Sequence, residues 1–114
     1  MDQLNAGELR YRVKLQQDTG TGQDERGQER EEWVTKADRW AGIKQLGGDE
    51  RMRGGQVQAS SEWEITFRTD EKTRLLAAAG WRIVKPSGFY AGTYNVVAVT
   101  AGEMAVVARC RREN

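Results

Sequence analysis

Five carboxylates, Asp24, Glu25, Glu29, Glu31 and Glu32, lie close together in the chain, a density that a hard divalent cation would favour. Arg26 and Arg30 interleave them, however, and such a cation needs converging oxygens at ordered spacing. A solvated loop is the better reading of this cluster. The glycine pairs Gly47–Gly48 and Gly54–Gly55 raise the question of a phosphate cradle. Neither fits the dinucleotide fingerprint or the phosphate-binding loop, since no Lys-Ser or Lys-Thr follows and no strand–turn–helix unit surrounds them. The chain has no histidine, and so lacks the commonest general base and metal ligand. Its one cysteine, Cys110, can form neither an internal disulfide nor a thiolate zinc site, and says nothing of an oxidising compartment. Catalysis has no support, and no metal or cofactor is expected.

The basic residues allow a binding role. Arg51 and Arg53 sit between the glycine pairs, and Arg109, Arg111 and Arg112 lie near the C-terminus. They suit transient contact with DNA phosphates, an acidic patch on a neighbouring subunit, or simple solubility. Lys and Arg number 18 against 17 Asp and Glu, a net charge of +1. A tight duplex binder needs a large basic excess, so stable DNA binding is not expected. Of the four tryptophans, Trp63 and Trp81 fall on apolar faces and are expected in the core, as is Trp40. Trp33 divides evenly between core residue and interface anchor.

These side chains must be positioned by strands. In a chain of 114 residues, 38% hydrophobic and 31% charged, one domain over residues 1–114 is expected, with much surface solvated or covered only by a partner. Tyr11, Val13 and Leu15 alternate with charged and polar neighbours, as do Trp63, Ile65 and Phe67. Trp81, Ile83 and Val84 predict a strand that stops at Pro86. Tyr94–Thr100 and Met104–Arg112 read as a hairpin turning at Ala101–Gly102. In its second arm Met104, Val106, Ala108 and Cys110 share the core face, leaving Arg109 and Arg111 outward. Trp33–Val34 and Trp40–Leu46 are less regular strands, with a bulge expected at Gly42. One helix is predicted over Glu71–Ala79, capped by Asp70, striped by Leu75, Leu76 and Ala79, and stopped by Gly80. The fold class expected is mainly β, a small antiparallel barrel or sandwich with one short helix. Asp18–Arg30 and Gly47–Gln58 are predicted as long loops, and function is expected in them. Met1–Arg10 is charged and is no signal peptide, and no run can span a bilayer, so a soluble intracellular protein is expected.

Ordered motifs then suggest a family. Ala6–Gly7–Glu8–Leu9–Arg10–Tyr11–Arg12–Val13 resembles the opening of the phage head–tail joining (head-closure, or stopper) proteins. Glu32–Trp33–Val34, Arg39–Trp40–Ala41–Gly42–Ile43 with Leu46 and Gly47, Gln56–Val57–Gln58–Ala59 before Trp63–Arg68, and Gly92–Val99 are similar to its later motifs, in the same order. Residues 71–92 depart from it by a longer connection holding the Leu75–Ala79 run and Pro86–Ser87–Gly88. The resemblance implies a β-barrel subunit of a homo-oligomeric ring, sixfold or twelvefold in the particle. That ring sits at the head–tail junction of a phage or gene transfer particle assembled in a bacterial host cytoplasm. Its partners would be a portal or adaptor ring, tail terminator or tail proteins, and packaged double-stranded DNA in transient contact, with no membrane. Carried to this chain, Arg51, Arg53, Gln56 and Gln58 become channel-side candidates. The segment 18–30 becomes a ring-docking candidate, with Asp24, Glu25, Arg26, Arg30 and nearby Trp33. A tail-completion or tail-terminator subunit is a close alternative. A monomeric barrel for single-stranded nucleic acid is a more distant one, disfavoured by the charge balance and by the inward phase of Trp63 and Phe67.

Overall fold

Alternation closes this molecule into a barrel. The computed structural model describes residues 8–20, 31–47, 50–53, 56–59 and 62–113. Strand β1 (Tyr11–Asp18) buries Val13 and Leu15, and β5 (Glu62–Arg68) buries Trp63, Ile65 and Phe67, as their spacing predicts. β6 (Trp81–Lys85) buries Trp81 and Ile83, while β7 (Gly92–Ala101) and β8 (Ala105–Arg112) supply Tyr94, Val106, Ala108 and Cys110. Burying each such large apolar side chain is worth roughly 1.5–3 kcal/mol. With β2 (Trp33–Gly47), these strands form a closed barrel in the order β1-β2-β5-β8-β7-β6. The expected mainly β class is thus a six-strand antiparallel barrel.

Every neighbouring pair in the barrel is antiparallel, so successive connections alternate between its two ends. The first end holds the start of β1, the excursion from β2 to β5, the β6–β7 loop and the end of β8. The second end holds the connection from β1 to β2, the helical β5–β6 connection and the β7–β8 turn.

Several expectations are corrected. The two irregular strands are one continuous β2 of 15 residues. Its bulges fall opposite Leu15/Gln16 and between Gln45 and Gly47, whereas Gly42 stays in register with Thr66. Gly42 answers a different need: a Cβ there would stand 3.1 Å from the Glu8 carbonyl oxygen of the crossing N-terminal segment. Trp40 is not core but 54% exposed, because the strand phase gives the inward place to Ala41. The predicted helix is only α1 (Glu71–Arg74) followed by a 3₁₀ turn at Leu75–Ala77. Thr73 and Leu76 are its buried residues, with Leu75 and Ala79 exposed, because the tight turn aligns positions three apart. Met104 lies in the β7–β8 turn, exposed, and does not share the core face.

The segment Gly47–Gln58, expected as a loop, is also corrected. β2 runs on to Gly47, and β3 (Glu50–Arg53) and β4 (Gln56–Ala59) pair as a separate two-stranded ribbon. The charged and polar residues of Glu50–Arg53 and Gln56–Ala59 alternate well enough to pair.

Candidate functional site

The residues that could contact a partner gather at the two barrel ends. At the first end, the ribbon register sets Arg51 opposite Gln58 and Arg53 opposite Gln56. Alternation therefore gives these four the same face of the ribbon, with the positions of Met52 and Val57 on the other. The ribbon springs from Gly47 and Glu62, which are cross-strand partners in the barrel wall.

The same barrel end is closed by aromatic rings. Tyr90 meets Tyr11 at 5.5 Å and Trp63 at 5.2 Å between centroids, and Trp63 meets Tyr94 at 5.5 Å, all edge-on. The Arg112 guanidinium lies 5.5 Å from the Trp63 ring centre and 5.8 Å from that of Tyr94. Burial raises the Tyr94 hydroxyl pKa, so it remains a protonated donor, here to the Tyr90 carbonyl. Beside this end, Glu8, Arg10, Tyr11, Gly42, Ile43, Lys44, Glu64 and Thr66 line an open groove of about 530 Å³. Its charged lining of both signs suits polar contacts.

At the second end, Asp18 clamps the root of the β1–β2 connection. Its Oδ1 accepts from the Gly20 amide at 2.9 Å and the Glu32 amide at 3.0 Å. The Thr19 amide donates to the Glu32 carbonyl, and the Asp18 amide to that of Gly80. The bonds from Glu32 and then Gly20 hold the Asp18 carboxyl below the usual carboxylate range. Nearby, Trp33 is half-buried with the Arg82 guanidinium 4.3 Å from its ring centre. Arg82 Nε in turn donates to Gln16, and Gln16 to Thr35. Of the docking candidates, Asp24, Glu25, Arg26 and Arg30 lie outside the described residues; only Trp33 is placed.

Of the described candidates, the ribbon strands lie at the first end of the barrel and Trp33 at the second. Arg109 and Arg111 face outward, as their phase predicts, opposite Glu64 and Glu62 on β5. Trp40 stands outside the barrel, 5.5 Å from the Arg12 guanidinium. The aromatic closure with Arg112 escaped the sequence reading. Its one local sign was the density of aromatic and glycine residues over Gly88–Gly92, and nothing there marks Tyr90 for a left-handed backbone.

Comparison with known proteins places this geometry in context. The family model described as phage head completion protein matches residues 4–106. Among solved structures, a chain in the virion of a native gene transfer agent particle aligns with a TM-score of 0.62 and 20% identity, covering 100% of this chain and 98% of its own. The solution structure of a protein from Shigella flexneri 2a aligns with a TM-score of 0.62 and 22% identity, covering 96% of both chains. At these identities the likeness is one of fold. No curated protein matches the sequence.

Proposed function

This chain belongs to the phage head completion protein family, and from that membership we propose that it is a non-enzymatic ring subunit joining the DNA-filled head to the tail. In this reading several copies form a ring between a portal or adaptor ring and the tail proteins, DNA passes through it, and the ring helps retain packaged DNA. The observation that carries the reading is the two-ended barrel: the ribbon leaves one end, and the clamped β1–β2 connection leaves the other. A joint between two rings needs two separate contact surfaces on one rigid mount, and a closed barrel leaves no open sheet edge to compete with them.

Arg51, Arg53, Gln56 and Gln58 are the proposed channel-side residues, sharing one face of the ribbon by register. Asp24, Glu25, Arg26, Arg30 and Trp33 are the proposed docking residues. A net charge of +1 suits a channel that touches DNA without gripping it, since strong phosphate neutralisation would slow release. The test uses tailless, DNA-filled heads from a particle lacking this protein. Added protein is expected to bind them, restore tail attachment and reduce DNA leakage. Heads that neither bind the protein nor gain tails would refute the assignment.

A further inference from the structure

We propose that the barrel wall formed by β8, β7, β6 and β1 is a basic docking surface for the acidic run 24–32 of a second copy of this chain, so that neighbouring copies join head to tail. The proposal rests on the ring reading above and deepens it by naming the two faces through which copies meet.

The net charge of +1 conceals a strong asymmetry. Strands β8, β7, β6 and β1 are consecutive neighbours in the closed barrel. They carry seven Lys and Arg residues and one carboxylate, Asp18, which leaves eleven basic and sixteen acidic residues in the rest of the chain. Asp18 is already engaged by the Gly20 and Glu32 amides. Lys85 and Arg112 turn to the β6–β7 loop, donating to the Ser87 and Ala91 carbonyls, and Lys14 pairs with Asp38 at 3.1 Å. Four arginines remain toward the surface, with Arg12, Arg109 and Arg111 exposed and Arg82 half-buried. Between β8 and β6 runs β7, which bears no charge over its ten residues and leaves Val97, Ala98 and Thr100 exposed, Val97 by 58%. The outer face of an antiparallel barrel strand is ordinarily polar. An uncharged centre bordered by arginine has instead the composition of a protein interface.

The counterpart of this wall lies in the same chain. Residues 24–32 hold five carboxylates against two arginines and lead directly into β2, with Glu31 and Glu32 exposed. In the barrel order β1-β2-β5-β8-β7-β6, β2 stands three strands from β7 in either direction, on the opposite side of the barrel. The acidic run therefore joins the barrel opposite the uncharged centre of the basic wall. One copy can offer its acidic run to the wall of the next, while its own wall stays open to the copy behind. A contact between two different faces repeats around an axis and closes as a ring, whereas two like faces stop at a pair. Charge enforces the same order, since wall against wall or run against run would bring like charges together. Duplex DNA is a poorer occupant, because a phosphate-binding wall needs no matching acidic run and that run would repel the duplex.

The test is analytical sedimentation of the pure full chain at low salt over a range of concentrations, without heads. Wild type is expected to self-associate, and to do so more weakly as added salt screens the contact. Glu31→Lys with Glu32→Lys, and separately Arg109→Glu with Arg111→Glu, should each weaken association by at least about tenfold. The variant carrying all four changes should regain most of it, because the two faces are again opposite in charge. Arg109 and Arg111 stand opposite Glu64 and Glu62, so their reversal could lower the melting midpoint. Val97→Glu with Thr100→Glu then supplies an acidic wall from exposed positions of β7. A wild type that stays monomeric up to its solubility limit, or an oligomer indifferent to these reversals, would overturn the proposal. So would binding of a short DNA duplex that the arginine reversal abolishes and the fourfold change does not restore, which would assign the wall to phosphate. Because no heads are present, the outcome is separate from the joining role: copies that associate as expected yet fail to bind heads leave this contact standing and refute the joining.

Discussion

Cys110 shows what a residue type in its strand phase can reveal. The alternation of β8 marks it as core, and it is fully buried, with burial pushing its thiol pKa up to about 12. Tyr94 is likewise raised by burial. Both groups hold their protons more tightly folded than unfolded. Their contribution to stability is therefore complete below the unfolded pKa values, 9.0 for the thiol and 10.0 for the phenol, and declines as pH rises above them. The melting midpoint should fall as pH rises from 9 toward 12, and Cys110→Ala should lessen that fall. At neutral pH the thiol should resist an aromatic disulfide reagent until denaturant is added; rapid labelling of folded protein would contradict this placement. Arg112 was less legible. Its row of basic neighbours suggests phosphate contact, an acidic patch on a neighbour or simple solubility, yet it is drawn over Trp63 and Tyr94 and bonds to Ala91. That outcome depends on a loop 21 residues away in sequence.

At the scale of elements, strands with one apolar face were readable and β2 was not. Its bulges, opposite Leu15/Gln16 and at Gln45/Gly47, shift the period twice, so no single alternation runs from Trp33 to Gly47 and Trp40 could not be phased. The helix start was readable because a cap is local chemistry. Asp70 Oδ1 accepts from the Lys72 and Thr73 amides, and Oδ2 accepts from Arg39 Nε at 2.8 Å. Partial burial pushes this carboxyl pKa up, but the Thr73 amide and Arg39 outweigh it and leave it low. Asp70→Ala should cost about 1–2 kcal/mol in denaturant unfolding. Asp70→Asn keeps the cap and should lose under about 1 kcal/mol, since the Arg39 pair is partly solvated. Equal losses in the two variants would mean the cap contributes nothing. Helix length was not readable, because the chain must turn back in time to enter β6 at Trp81.

For the whole molecule, ring closure makes the barrel independent of its appendages. β3 and β4 pair with each other outside the barrel order, and Gly47 already faces Glu62 across the wall. Replacing residues 48–61 by a two-residue turn should leave the strand signal in circular dichroism and the melting midpoint nearly unchanged, while abolishing tail joining. Loss of cooperative melting would show that the ribbon supports the barrel. Acid stability follows from the two ends together, because Asp18 ties down the β1–β2 connection and Asp70 the helical one. Both carboxyls are lowered, so their contribution is present above the unfolded value of 3.8 and is lost as pH falls through the folded values. Unfolding midpoints should therefore drop below about pH 4, and less steeply in the Asp18→Asn, Asp70→Asn double variant. The amino-acid sequence by itself determined the β class, the inward faces of β1, β5, β6 and β8, the helix cap and the family resemblance, because alternation and capping act between near neighbours. The tertiary structure alone decided which end each connection occupies, that Trp40 faces outward, and that Arg112, Lys85 and Tyr94 clamp the β6–β7 loop. Those outcomes depend on which strands become neighbours when the barrel closes, and no local spacing in the chain encodes that.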